Sequence, residues 1–184
     1  VGVPFIYLNQ VGANDELIFD GLSRLVAKDG KTVALLPAFQ EEIRIVDTAK
    51  DAAIVVEHIS DDMPYLYQAL VMGIRDYLRK CGFTSAIIGL SGGIDSAVVA
   101  YLAVQALGRE NVLGVAMPSP YSSPSSVEDA QHLADNLGME CQVIPIADLY
   151  KSYLTVLGNH FDGGEMDVAE ENIQARIRGN ILMA

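Results

Sequence analysis

The fold of this chain is decided by the run Ala86-Ile-Ile-Gly-Leu-Ser-Gly-Gly-Ile-Asp-Ser-Ala-Val-Val-Ala100. Its first five residues, 86–90, are apolar or small, which predicts a buried strand. A tight turn follows over 91–93. An apolar helix then begins at 95–96 and is expected to end near Leu107, just before a glycine. The run therefore predicts a strand, a glycine turn and a helix in direct succession.

The turn inside this run has the composition of a phosphate-binding corner. Gly92 and Gly93 let the backbone approach a bulky anion, and the N–H groups and dipole of the new helix point at the same place. Ser91 and Ser96 add hydroxyl donors. Asp95 would repel a phosphate unless a cation lay between them, so we interpret the corner as a pyrophosphate site with Asp95 on Mg2+. An ordinary corner with a capping Asp is the alternative, which the full string makes less favourable.

The composition of the chain indicates which classes of ligand it does not bind and in which compartment it works. The 184 residues are 51% hydrophobic and carry a net charge of −12, which argues against a broad nucleic-acid or anionic membrane surface. Cys81 and Cys141 lie far apart in sequence, which predicts reduced thiols in the cytosol. The three histidines fit no metal-binding pattern. With no apolar run of membrane-spanning length and no signal peptide, we predict a cytoplasmic protein.

Helices and strands alternate along most of the chain. This alternation predicts a doubly wound, parallel α/β sheet with right-handed crossovers. Ligands bind outside the carboxyl ends of such strands, and that edge is expected to hold Ser91–Ser96 together with Met117–Ser123. The predicted helices are 65–80, 95–107, 124–137, 149–157 and one from 170, the strands are 86–90, 111–117 and 141–146, and 47–64 and 159–168 are a linker and a loop.

Residues 1–50 have a different pattern, with short β-prone runs separated by turns. Strands so few and short cannot enclose a core by themselves, so this segment must pack against something else. The predicted strands are Phe5–Leu8, Leu17–Phe19, Thr32–Leu36 and Ile43–Val46, with turns at Gly12–Asp15, Asp20–Gly21 and Asp29–Gly30.

The last predicted helix carries two side chains, Asn172 and Arg176, of types that can bind anions. Ile173, Ile177 and Ile181 form its buried stripe, while Asn172 and Arg176 lie one turn apart on a neighbouring face. An amide and a planar guanidinium so placed can bind a sugar–phosphate or a carboxylate. A solvated face, on which Arg176 meets only Asn172 and water, is the alternative, and spacing alone slightly favours it.

Three strings resemble those of a known family. Ser-Gly-Gly-Ile-Asp-Ser at 91–96 resembles the signature of the N-type ATP pyrophosphatases, which include GMP, asparagine and NAD synthetases and tRNA-modifying enzymes. With Met-Pro-Ser-x-Tyr-Ser-Ser at 117–123 and Glu-Asn-Ile-Gln-Ala-Arg-Ile-Arg-Gly-Asn at 171–180, the match is to glutamine-dependent NAD synthetases. The sequence of residues 7–21 resembles the closing strands of the nitrilase-like glutaminase domain of that family. The resemblance implies a glutaminase-domain remnant at 1–50 and a synthetase domain at 51–184.

The resemblance also implies a reaction. ATP adenylylates the nicotinate carboxylate of deamido-NAD and releases pyrophosphate, and ammonia obtained from glutamine then displaces AMP to give NAD, the last step of NAD biosynthesis. It further implies a homo-oligomer, with ATP and Mg2+ as cofactors and no nucleic-acid or membrane partner. The residues implied are Gly89, Leu90, Ser91, Gly92, Gly93, Ile94, Asp95 and Ser96 for the ATP phosphates, Asp95 for Mg2+, Met117 and Ser123 for adenosine, and Asn172 and Arg176 for deamido-NAD.

The sequence departs from the family pattern in three places. Pro120 stands where relatives commonly have Arg, the glutaminase Glu, Lys and Cys are not in the chain, and neither is the Thr-Thr-Gly-Asn-Lys-Ser-Glu segment with a second Mg2+ ligand. We therefore interpret the chain as part of a longer enzyme, without a complete catalytic set, unable to hydrolyse glutamine and inactive alone. Another ATP pyrophosphatase, such as a GMP synthetase, and a non-catalytic adenine-nucleotide binding module remain the alternatives.

Overall fold

The computed structural model describes residues 2–47, 62–157 and 168–184. The chain divides into two units, Val1–Phe83 and Thr84–Ala184. The predicted linker and the predicted loop before the last helix fall mostly outside the described residues. The described helices include none with both the length and the apolar content that crossing a bilayer requires.

The N-terminal unit contains two small antiparallel sheets and a long helix. One sheet has the order β1-β4-β5, and the other is the hairpin β2-β3. The elements are β1 (Phe5–Tyr7), β2 (Val11–Asn14), β3 (Leu17–Asp20), β4 (Arg24–Val26), β5 (Thr32–Leu35) and α1 (Asp62–Lys80).

Three of the four strands predicted in this unit are confirmed, and one is wrong. Residues 43–46 form no strand, and Ile43 and Ile45 are 99% and 96% exposed. The predicted turn at Gly12–Asp15 is also shifted, because β2 runs through Asn14 and the hairpin turns at 15–16. Strand β4 was not predicted, since three residues are too short to show a period.

Helix α1 supplies the support that the N-terminal strands need. It packs on the hairpin β2-β3, where a Cβ on Gly73 would lie 3.2 Å from Ile18 Cδ1. The buried carboxylate of Asp76 accepts a hydrogen bond of 3.0 Å from the Ala13 N–H, and the Lys80 ammonium donates to the Ala13 carbonyl. The structure therefore groups α1 with residues 2–47, whereas sequence analysis assigns it to the second domain. The division at residue 50 stays a prediction.

The C-terminal unit is a three-stranded parallel sheet of order β6-β7-β8 with helices on both faces. This confirms the predicted α/β fold. Its elements are β6 (Ala86–Leu90), α2 (Ile94–Leu107), a 3-10 turn (Arg109–Asn111), β7 (Val112–Ala116), α3 (Pro124–Leu137), β8 (Glu140–Val143), α4 (Ala147–Leu157) and α5 (Val168–Met183).

Strand β7 lies at the centre of this sheet and contributes to both cores. Val112 and Ala116 pack with α2 and α3, whereas Val115 and Met117 pack with Tyr150 of α4 and with α5. Successive side chains of a strand point to opposite faces, so a strand covered on both sides reads as an unbroken apolar run. The sheet was therefore predicted from strands alternating with helices along the chain, because apolar and polar residues do not alternate within its buried strand.

The last strand of the C-terminal unit is shorter at its end than predicted, whereas helix α3 has the predicted bounds. Strand β8 ends at Val143 and not at Ile146, although the Ile146 N–H still donates to the Pro118 carbonyl at 2.9 Å. Helix α3 begins after Ser123, whose side chain makes no capping hydrogen bond.

Candidate functional site

A cavity of about 430 Å3 lies at the carboxyl ends of β6 and β7. Its volume falls within the range of small-molecule sites. The walls come from the end of β6, the first residues after β7, the start of α3 and one face of α5. The two loops that sequence analysis expects at this edge of the sheet, 91–96 and 117–123, both contribute to this region.

The turn after β6 is held in place by its own serines. The Ser91 Oγ accepts from the Gly93 N–H at 3.2 Å and lies 3.1 Å from the Ser96 Oγ. The Ser96 hydroxyl in turn donates to the Gly93 carbonyl at 2.9 Å and accepts from the Ser91 N–H at 3.2 Å. The hydroxyls that sequence analysis assigned to a phosphate are therefore engaged within the turn, as are the Ser91 and Gly93 N–H groups. The N–H groups of the first turn of α2 remain for a ligand.

Gly92 is required for two independent reasons. Its φ of +78° lies in the left-handed region, which side chains disfavour. A Cβ at this position would also lie 2.6 Å from the Ser126 carbonyl oxygen and 2.8 Å from its Cα. The turn thus packs directly on the main chain at the start of α3, and both walls of the site are fixed together.

The first turn of α2 offers unpaired N–H groups beside this turn. Gly93 is the N-cap, so no side chain caps the helix. The first N–H groups of a helix have no partner within it, and they attract anions. Asp95 lies in this turn with an exposed side chain. The corner therefore joins anion-binding donors to one carboxylate that is open to solvent.

The Asp95 carboxylate could serve as a Mg2+ ligand if phosphates and water completed the coordination. Within residues 2–47, 62–157 and 168–184, no cluster of three or more His, Cys, Asp or Glu side chains could hold a metal ion. Mg2+, however, is commonly bound by one or two carboxylates together with substrate phosphates and water. Asp95 is consistent with that mode and not with a site made of protein ligands alone.

The absence of a side chain at Gly89 leaves room beside the cavity. A Cβ there would lie 3.2 Å from Leu182 Cδ1 and 3.4 Å from Met117 Cε. Gly89 and Met117 line the cavity, as does Leu182 of α5. Met117 is buried, so its side chain forms part of the wall rather than a free contact surface.

The loop after β7 is braced by hydroxyl groups. The Ser119 N–H donates to the Ser122 Oγ at 2.9 Å, and the Ser123 Oγ lies 2.8 Å from the Ser126 Oγ. Ser122 and Ser126 line the cavity, whereas Ser123 is exposed and does not. Sequence analysis singled out Ser123 among these serines, because nothing in a serine-rich loop distinguishes the side chains that turn inward.

Helix α5 lines the cavity with a face other than the one that carries Asn172 and Arg176. Ala175, Arg178 and Leu182 line it, while Asn172 and Arg176 are exposed on a neighbouring face. Arg176 Nη1 donates weakly to the Asn172 carbonyl at 3.4 Å. Spacing of three, four and seven residues marks one helical face, but nothing in this spacing shows that the face lines the cavity.

The predicted site residues therefore fall into three groups. Gly89, Leu90, Ser91 and Met117 line the cavity. The turn and first helical residues 92–96 lie next to it in the chain. Ser123, Asn172 and Arg176 lie outside the lining.

Comparison with known proteins gives a consistent result. The family model described as NAD synthase matches residues 66–184. A glutamine-dependent NAD(+) synthetase from Synechocystis sp. is 51% identical over 187 residues, which cover 99% of this chain and 34% of that protein.

Solved structures agree with this comparison. A glutamine-dependent NAD+ synthetase from Acinetobacter baumannii in complex with ADP has a TM-score of 0.93 at 38% identity, covering 99% of this chain and 35% of that one. An NH3-dependent NAD synthetase from Campylobacter jejuni has a TM-score of 0.59 at 30% identity, covering 67% of this chain and 52% of that one. The chain spans about a third of the length of the glutamine-dependent relatives.

Proposed function

The chain belongs to the NAD synthase family, and from this membership we propose that it carries the nucleotide-binding core of a glutamine-dependent NAD synthetase. The whole enzyme would be a ligase that forms a carbon–nitrogen bond, amidating deamido-NAD to NAD at the expense of ATP. The observation that carries the proposal is the cavity at the ends of β6 and β7, joined to an uncapped helix N-terminus.

The proposed domain division follows the same reasoning. Residues 1–50 would be the last part of a nitrilase-like glutaminase domain, and 51–184 the first part of the synthetase domain. In support, the NAD synthase family model begins at residue 66, and relatives named for glutamine dependence align with nearly the whole chain. Ammonia released from glutamine would then reach the synthetase site within a homo-oligomer in the cytoplasm.

ATP would bind with its phosphates at the turn over 91–96. Backbone N–H groups of the first turn of α2 are preorganised donors, because the serine hydrogen bonds hold the turn in shape before a ligand arrives. Such donors stabilise the charge that develops on the phosphate oxygens during adenylyl transfer, without having to reorganise. Asp95 would hold Mg2+, and a bound Mg2+ would neutralise part of the negative charge of the phosphates. Met117 and Ser123 would adjoin the adenosine.

Deamido-NAD would approach from α5, where Asn172 and Arg176 are open to solvent. Since the hydrogen bond between Arg176 and the Asn172 carbonyl is long, exchanging it for a ligand oxygen costs little. A carboxylate oxygen of nicotinate would attack the α-phosphorus, forming an acyl–phosphate bond as pyrophosphate leaves. Ammonia would then attack the acyl carbon, lose a proton and expel AMP. Holding the two reactants in register is the main contribution of the site.

Calorimetry on the 184-residue chain tests the proposal. ATP with Mg2+ should bind, and Asp95→Asn should weaken binding in the presence of Mg2+ far more than in its absence. Deamido-NAD added to the ATP-loaded chain should give a further binding heat. A chain that binds ATP but ignores deamido-NAD would be an adenine-nucleotide binding module, and a chain that binds neither would contradict the proposal altogether.

A further inference from the structure

Arg178 of α5 contributes a charged side chain to the lining of the cavity. Of the described residues that line this cavity, it alone carries a charged side chain. It lies on α5 between Ala175 and Leu182, which line the same wall, and it is half-buried. Sequence analysis assigned no role to it.

The guanidinium of Arg178 is anchored at one atom. Its Nε–H donates to the Met117 carbonyl at 3.2 Å, immediately after the end of β7. The group is planar and carries five N–H donors. Fixing Nε restricts the plane of the whole group, and the other four donors, on Nη1 and Nη2, remain for other partners.

The charge of Arg178 has no acidic counterpart in the part of the chain that the structure describes. The ion pairs found there join Lys31 to Asp29, Arg44 to Glu42, and Arg75 and Arg79 to Asp76. A half-buried cation without a carboxylate loses hydration that the one hydrogen bond to the Met117 carbonyl replaces only in part. In a chain of net charge −12, acidic partners are abundant, so their absence at this cavity is informative.

We infer that Arg178 binds an oxyanion of the ligand that occupies this cavity, with its Nε held by the Met117 carbonyl. The inference rests on the proposed function, which supplies oxyanions of two kinds: the phosphates of ATP and deamido-NAD, and the nicotinate carboxylate of deamido-NAD. Arg178 is thus a binding residue distinct from Arg176, which lies outside the cavity lining.

The test compares Arg178→Gln with Lys151→Gln in the 184-residue chain. Lys151 is exposed on α4, so its variant matches the change in net charge away from the cavity. Calorimetry measures binding of ATP, adenosine, deamido-NAD and NAD to each variant. A lost charged hydrogen bond should weaken binding of the oxyanion-bearing ligand about 10- to 100-fold. A loss for ATP but not adenosine identifies a phosphate of ATP. A loss for deamido-NAD but not NAD identifies the carboxylate, and an equal loss for both identifies the diphosphate that they share.

Two results would overturn the inference while leaving the proposed function intact. Unchanged affinity for both ATP and deamido-NAD would exclude an oxyanion contact. An equal loss for adenosine and ATP would show that Arg178 only braces the Met117 carbonyl. Should Arg178→Gln fail to fold by circular dichroism, Arg178→Lys is compared in the same way, because lysine keeps the charge but not the planar fork. Failure of the wild-type chain to bind ATP would instead refute the proposed function.

Discussion

Substituting alanine for Gly92 should distort the turn over 91–93 and with it the candidate site. The new Cβ would lie 2.6 Å from the Ser126 carbonyl oxygen and 2.8 Å from its Cα. Both are main-chain atoms at the start of α3, so no side-chain rotation can relieve the contact. Either the turn or the first turn of α3 must move.

The size of the effect follows from two contributions. An L-residue in the left-handed region costs about 1–2 kcal/mol, and forcing an extra carbon into a packed contact costs about 1–3 kcal/mol. We therefore expect Gly92→Ala to destabilise the C-terminal unit by about 2–5 kcal/mol. In a unit of this length, that corresponds to a fall of about 10 °C or more in melting temperature. ATP affinity should fall about 10-fold or more, because the N–H donors are displaced.

Gly82→Ala is the matched control. Its φ of +81° is nearly that of Gly92, but a Cβ there meets nothing within 4 Å. It should show the backbone cost alone, about 1–2 kcal/mol, and leave ATP affinity unchanged. Thermal melting and ATP calorimetry on both variants separate strain from collision. If Gly92→Ala behaves like Gly82→Ala in both assays, the turn does not pack on α3 as the structure has it.

Three further outcomes are expected. Gly89→Ala should weaken ATP binding several-fold with little loss of stability, because its Cβ meets only the flexible ends of two side chains. Gly179→Ala, in the interior of α5 with open space around it, should leave ATP affinity unchanged and raise stability by about 0.5–1 kcal/mol; equal ATP affinity in both variants would show that the cavity does not hold the nucleotide. Asp76→Asn should cost about 1–3 kcal/mol in thermal melting, because the buried carboxylate accepts from Ala13, and a melting curve like that of the wild type would contradict this. Burial, and then a hydrogen bond to the Asp20 carboxylate, raise the pKa of Tyr65 from 10.0 to about 12. The contribution of the neutral Tyr65 hydroxyl to the free energy of unfolding is therefore complete below pH 10 and is lost as the pH rises towards 12. Tyr65→Phe should lessen the loss of stability over that range when melting is followed at alkaline pH, and an identical pH profile would refute this.

The C-terminal unit was predictable because its signals are local and strong. A buried strand, two glycines and an apolar helix follow one another within 86–107, and each has its own sequence signature. The N-terminal unit was less predictable. Strand β4 has three residues, and residues 43–46 have strand composition yet remain unpaired, because strand pairing depends on partners that are distant in sequence.

The candidate site shows the same limit. Ser122 and Ser126 cannot be told from Ser123 by composition, and only the course of the loop decides which of them line the cavity. Arg176 drew attention through its spacing from Asn172, but the rotation of α5 brings Arg178 to the cavity instead. Helix rotation is set by how Ile173, Ile177 and Ile181 pack on the sheet.

The sequence by itself determined the α/β fold of the C-terminal unit, the family and the glycine turn, because hydrophobic period, turn chemistry and motif spacing are properties of neighbouring residues. Only the tertiary structure decided that the Ser91 and Ser96 hydroxyls brace the turn, that Gly92 packs on the main chain of Ser126, and that Arg178 lines the cavity. These facts depend on contacts between segments 30 to 90 residues apart or on which of several possible partners a hydroxyl finds. A local pattern of residues carries no information on either.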